Sequence, residues 1–83
     1  MNNNYERPLD LLNKNKGKEV IVQLKNERQL VGSLIAFDIH INVILDNTKE
    51  LVNGEVRKNI GIAFIRGDTI IFISPAVNVQ NSG

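Results

Sequence analysis

The stretch Lys18-Glu19-Val20-Ile21-Val22-Gln23-Leu24-Lys25 decides the reading of this chain. Val20, Val22 and Leu24 recur at every second position between Glu19, Ile21, Gln23 and Lys25, the period of a strand with one buried face. Asn26-Glu27 interrupts, and Arg28 to Phe37 resumes the pattern with Leu30, Gly32, Leu34 and Ala36 on one side. Gly32 lacks a side chain and so permits the sharp bend that a small barrel needs. Downstream, a third strand is expected from Ile41 to Leu45. The polar stretch from Asp46 to Asn59 reads as two strands continuing to an exposed tip at Asn53-Gly54, a strong hairpin signal. Ile60, Ile62 and Phe64 then alternate with Gly61, Ala63 and Ile65, and after Arg66-Gly67-Asp68 a last strand covers Thr69 to Ile73 before Pro75 stops it.

Upstream of the first strand the pattern changes. Pro8 suits a first helical turn, Asp10 follows it, and Gly17 comes just past Lys14 and Lys16, so Arg7 to Lys16 is expected to form a short helix. Leu9, Leu11 and Leu12 give it an apolar stripe, which it needs because a helix this short is unstable alone. The expected architecture is mainly β, with a short N-terminal helix followed by a strongly bent five-stranded antiparallel sheet. One domain is expected over residues 5–76, with polar, frayed tails at 1–4 and 77–83. Such an open barrel leaves two strand edges. The last two strands are apolar on both faces, more apolar edge than one small core can cover, which points to edge-to-edge self-association in a closed ring.

Composition narrows the function. At 83 residues the chain buries a smaller share of its surface than a longer one, so partners can contribute to its stability. With no cysteine it has no disulfide, zinc-thiolate site or thiol nucleophile. Ten Lys and Arg against nine Asp and Glu leave a net charge of +1, far from the basic excess of a protein that holds nucleic acid by phosphate neutralisation alone. Specific contacts must then matter. No apolar run approaches the roughly 20 residues of a membrane span and the start lacks a signal-peptide core, so a cytoplasmic protein is expected.

Two polar words sit at the joints between strands: Phe37-Asp38-Ile39-His40-Ile41-Asn42 and Ile65-Arg66-Gly67-Asp68. Asp38, His40 and Asn42 alternate by two, so they share a side of a straight strand or converge at a turn. His40 is a planar ring that can stack on a base, and Arg66 supplies a second flat face. The Asn42 carboxamide sets a donor beside an acceptor, matching the N3 donor and O4 acceptor of uracil, whereas cytosine presents the opposite order. Gly67 lets the backbone approach closely and Asp68 can hold the Arg66 turn. The plainer reading stands beside this one: a surface histidine, an asparagine that ties down its own turn, and a hairpin turn with charges paired across it. Asp38 with His40 could in principle form an acid–base pair, but no nucleophile lies in a recognisable motif and no metal-ligand cluster or cofactor motif exists, so an enzyme is not expected.

The combination resembles the Sm and Sm-like RNA-binding family. Gly17 through Asp46 is similar to the first family motif, with Val20, Val22 and Leu24, then Gly32, Phe37-Asp38, Asn42 and Leu45-Asp46. Ile65-Arg66-Gly67-Asp68 followed by Ile70 to Pro75 is similar to the second, in its archaeal and eukaryotic form rather than that of the bacterial RNA chaperones. Asn26-Glu27 departs from it, since many members carry Gly in that turn. The resemblance implies a helix on an open, SH3-like five-stranded barrel, with strand four of one subunit pairing with strand five of the next in an archaeal-type homo-oligomeric ring, most often of seven. It implies that His40, Asn42, Arg66 and Gly67 bind U-rich single-stranded RNA on the inner rim, with Asp38 and Asp68 orienting them. The ring would act as an RNA chaperone or scaffold, with RNA-processing proteins as further partners. A structural ring that recruits proteins without binding RNA is the alternative.

Overall fold

The computed structural model describes residues 7–76. The expected tails at 1–4 and 77–83 lie outside those residues. Helix α1 spans Pro8–Lys14 and is followed by strands β1 (Glu19–Leu24), β2 (Arg28–Phe37), β3 (Val43–Val52), β4 (Glu55–Ile65) and β5 (Ile70–Pro75), with a 3-10 turn at Gly67–Thr69 before β5. Pro8 occupies the first turn of α1, Asp10 lies in that turn and Lys14 in the last. The helix stops two residues earlier than its sequence suggests. The Asn15 side chain donates to the Leu11 carbonyl at 3.0 Å, and Gly17, at φ +85°, reverses the chain. The Gly17 N–H then reaches the Leu34 carbonyl at 2.7 Å while the Leu34 N–H reaches Lys18 at 2.9 Å, which clamps the helix exit onto β2.

The strands form one antiparallel sheet in the order β4-β3-β2-β1-β5. Its inner face carries the alternating residues of the sequence pattern: Val20, Val22, Leu30, Leu34, Val43, Leu45, Ala63 and Ile65 are buried, and Leu12, Leu24, Phe37, Ile41, Ile70 and Ile73 pack against them. Facing pairs such as Val22 with Leu30 and Leu34 with Leu45 bring apolar side chains together across the ladder, the usual unit of sheet stabilisation.

The sheet carries several register shifts, and those at the middle of β3 fall together across β2, β3 and β4. Between the pairs Val31–Lys49 and Ser33–Asp46, β2 advances two residues while β3 advances three. Between Leu45–Ala63 and Thr48–Gly61, β3 again advances three against two in β4. Strand β3 thus carries one extra residue on both sides, with Asn47 at φ +51° and Gly61 at φ +87° at these shifts. Such bulges bend the strand that holds the extra residue. Gly32 lies on the inside of the bend, where a Cβ would stand 2.8 Å from the Asp46 carbonyl oxygen and 3.2 Å from the Leu45 Cβ. The buried Thr48 hydroxyl is also crowded there, and it has no hydrogen-bond partner among the described residues.

Two connections take left-handed backbone. Asn53 and Gly54, at φ +55° and +81°, make the expected hairpin tip between β3 and β4, with both central residues positive as a twisted two-residue turn requires. Glu27 turns β1 into β2 at φ +68°. The missing glycine at Asn26-Glu27 is therefore borne as backbone strain rather than as a different turn.

Strand β3 begins at Val43 rather than Ile41, because Ile41 has φ +63° and the Asp38 N–H closes onto the Asn42 carbonyl at 3.1 Å. Strand β5 begins at Ile70 because Thr69 belongs to the preceding 3-10 turn. Strands β4 and β5 are the sheet edges. Both expose apolar side chains, Ile62 and Phe64 on β4 and Ile71 and Phe72 on β5, while the first half of β4 is largely charged and polar.

Gly32→Ala is expected to lower stability by about 1–3 kcal/mol, since the added methyl meets backbone and core atoms that cannot swing aside. The midpoint of urea unfolding, compared at equal protein concentration, measures it. An unchanged midpoint would mean that the bend tolerates a side chain.

Candidate functional site

The Asp38 carboxylate organises the turn between β2 and β3. Its Oδ1 accepts the backbone N–H of His40 at 2.8 Å and that of Asn42 at 3.1 Å. Its Oδ2 accepts the Asn42 side-chain amide at 3.0 Å. The Asp38 carbonyl in turn accepts the Ile41 N–H at 3.0 Å. These donors hold the Asp38 carboxyl below its ordinary 3.8, the Asn42 side-chain amide contributing most, the backbone N–H groups of Asn42 and His40 and the nearby His40 ring less; partial desolvation opposes them. Hydrogen bonds to the charged form favour it. Asp38 is bonded to the backbone of His40, not to its ring, so its carboxylate is spent on the turn rather than on an acid–base pair.

Asn42 joins this turn to the other polar word. Its Oδ1 accepts the Gly67 N–H at 2.7 Å, across 25 positions of sequence. The orientation of the amide follows from these partners, because a flipped amide would set its oxygen against the Asp38 carboxylate and its NH2 against the Gly67 N–H. One N–H and one oxygen lone pair of Asn42 remain outside these bonds. The approach of Gly67 is so close that a Cβ on it would overlap the His40 carbonyl oxygen and stand 3.0 Å from the Ile41 carbonyl carbon and oxygen. The expectation that Gly67 permits close backbone approach thus has a definite object, the turn that carries His40.

Arg66 follows immediately before. Its guanidinium meets the Asp68 carboxylate at 3.0 Å, with both side chains largely exposed. A pair this exposed contributes about 0–1 kcal/mol, so its effect is to aim the guanidinium rather than to hold the fold. Thr69 secures the turn by donating its hydroxyl to the Arg66 carbonyl at 2.7 Å. His40, Asn42, Arg66, Gly67 and Asp68 line one open pocket of about 640 Å³, with Asp38 bracing it through Asn42. All six residues singled out in the sequence are therefore brought together.

Ile41 is the residue that alternation did not reveal. A β-branched residue at φ +63° is a genuine outlier that costs about 1–3 kcal/mol and persists only where its surroundings over-determine it. Nothing in the sequence marks it, since isoleucine's own preference is for a strand. Its side chain packs on the core and lines an apolar groove of about 630 Å³ between α1 and β5, together with Leu12, Ile71 and Ile73. That groove also touches His40 and Gly67, so it lies behind the polar pocket and shares a wall with it. Among the described residues no group of His, Cys, Asp or Glu could hold a metal ion.

A carboxyl whose folded pKa is depressed gives stability that is complete above its unfolded value and lost as pH falls through the folded one. The Asn42 side-chain amide and the His40 backbone amide are therefore expected to shift together in an NMR pH titration, with a common midpoint below the ordinary carboxyl value of 3.8. A midpoint at or above 3.8, or separate midpoints for the two amides, would remove Asp38 as their acceptor.

Against known proteins, the family model described as LSM domain matches residues 10–75. An snRNP Sm-like protein of Archaeoglobus fulgidus is 49% identical over 70 residues, covering 84% of this chain and 91% of that protein. The structure of a Pyrococcus abyssi Sm protein in complex with a uridine heptamer is similar at a TM-score of 0.83 and 44% identity, over 86% of this chain and 100% of that one. A heptameric archaeal Sm protein is similar at a TM-score of 0.77 and 34% identity, over 82% of this chain and 98% of that one. The two motifs, the bent sheet and the site between them lie within the matched residues, and the chain belongs to the LSM domain family.

Proposed function

We propose that this chain assembles into a homo-oligomeric ring, seven-membered by analogy with its archaeal relatives, and binds single-stranded U-rich RNA on the inner rim. The observation that carries this reading is the fixed Asn42 amide, held by Asp38 on one side and Gly67 on the other. Its remaining N–H suits O4 of uracil and its remaining lone pair suits N3–H, whereas cytosine would set acceptor against acceptor at N3. His40 and Arg66 flank the amide in the same pocket and offer two flat faces, each stacking contact being worth about 1–3 kcal/mol per base. Asp68 aims the guanidinium. The uridine heptamer in complex with the Pyrococcus abyssi protein supports the choice of base.

Ring assembly rests on the two open edges. Strands β4 and β5 each have one free side, and the exposed Ile62, Phe64, Ile71 and Phe72 lie along them. Edge pairing repeated head to tail either closes or runs on as a fibre, and the heptameric relatives favour closure. Repetition then strengthens a modest site, because each bound base raises the effective concentration of the next at the adjacent subunit. The net charge of +1 fits a protein whose selectivity lies in its pockets. The role that follows is that of a cytoplasmic chaperone or scaffold in RNA processing, with no reaction catalysed.

Anisotropy titration with oligo-U and oligo-C of equal length, at one stated near-physiological salt, is expected to show tighter binding of oligo-U. Asn42→Ala is expected to weaken oligo-U binding at least about fivefold, from about 1 kcal/mol per hydrogen-bonded site, and to narrow the margin over oligo-C. Equal binding of the two oligomers would favour a protein-recruiting ring instead. Ile71→Asp is expected to break the ring into smaller species by light scattering, since it places a charge on an edge that must be desolvated. An intact ring in that variant would move the interface elsewhere.

A further inference from the structure

We propose that Ile41 is a positioning residue of the base site, its side chain seated in the groove behind the turn so that His40 and Asn42 are delivered together into the pocket in front. This rests on the reading of that pocket as the base site. Three observations converge on it. Ile41 is held at φ +63°, a conformation that isoleucine does not choose and that the surroundings must impose. Its half-buried side chain packs on the core and forms part of the apolar groove, flanked by α1 and β5. The left-handed step places exposed His40 and exposed Asn42 on either side of this anchored residue, and Gly67 packs on the His40–Ile41 backbone from the opposite direction.

In a straight strand, His40 and Asn42 would share one face and Ile41 would take the other, and continuing the Val43–Ile65 register would set Asn42 opposite Arg66 and the Ile41 side chain, not that of His40, beside Gly67. The observed turn is pinned at three points instead: Asp38 grips His40 and Asn42, Gly67 donates to Asn42, and the Ile41 side chain is held by the groove. The first two pins are polar and exposed, where water competes for them. The third is apolar and half-buried, and it makes the strained geometry the settled one. A glycine here would adopt the same φ without strain but would have no anchor. A leucine would keep an apolar anchor of similar volume.

Hydrogen exchange on the assembled, RNA-free protein tests this directly. Ile41→Gly is expected to lower protection of the Asn42 and Gly67 amides at least about tenfold while the amides of β1 and β2 keep theirs, and Ile41→Leu is expected to restore it. With the ring verified by light scattering, oligo-U affinity is expected to fall about fivefold or more in Ile41→Gly and to recover in Ile41→Leu. Wild-type protection of Asn42 and Gly67 in Ile41→Gly would overturn the proposal, as would loss spread evenly over the sheet, which is what a merely structural core residue would give. Absence of oligo-U binding by the wild-type protein would instead overturn the RNA reading, leaving the exchange result to decide the role of Ile41.

Discussion

The hydrogen bond from the Gly67 N–H to the Asn42 side chain is the contact on which the site depends. It joins two turns that are separated in the chain by two strands, the hairpin of β3 and β4. A backbone N–H donating to a side-chain oxygen is directional and short, so it transmits the position of one turn to the other. Everything around it serves the same geometry. Asp38 orients the amide that accepts the bond, and the lack of a side chain at Gly67 lets the donor reach it.

The pairing of β3 with β4 is what brings these turns within reach of one another, since Val43, next to Asn42, lies opposite Ile65, next to Arg66. The extra residue in β3, opposite Gly32 of β2 and next to the Thr48–Gly61 pair with β4, bends the sheet across these three strands. The strand order leaves β4 and β5 at opposite edges, each with one side outside the ladder. Strain is concentrated in the turns: Glu27 and Ile41 both hold left-handed backbone. Glu27 sits in a connection remote from the pocket, whereas Ile41 lies between two of its residues.

Much of this was legible in the residues. Period-two alternation marked β1 and β2 and assigned Val20, Val22, Leu30 and Leu34 to the core, where they are found. Asn53-Gly54 marked the hairpin tip because a tight turn with two positive φ values selects those residue types. The six residues that gather at the candidate site were singled out for a different reason: polar groups and a glycine stood at strand joints, where loops carry function on a rigid frame. Alternation erred at Ile41, which reads as the start of a strand and is instead a left-handed turn residue, because local propensity does not register a carboxylate several positions back that captures the turn's donors.

The sequence by itself determined the order of the elements, the inward face of the first two strands and the identity of the polar groups available at the two joints. These are local properties, written in the period of apolar residues and in the chemistry of single side chains. Only the tertiary structure decided that half of the hydrogen-bonding capacity of Asn42 is spent on Asp38 and Gly67, that Gly67 packs against the backbone of His40 and Ile41, and that an apolar groove lies behind the pocket. Those facts depend on distances between residues far apart in the chain, and such distances are set by the pairing register of β3 with β4 and the packing of the core rather than by any local preference.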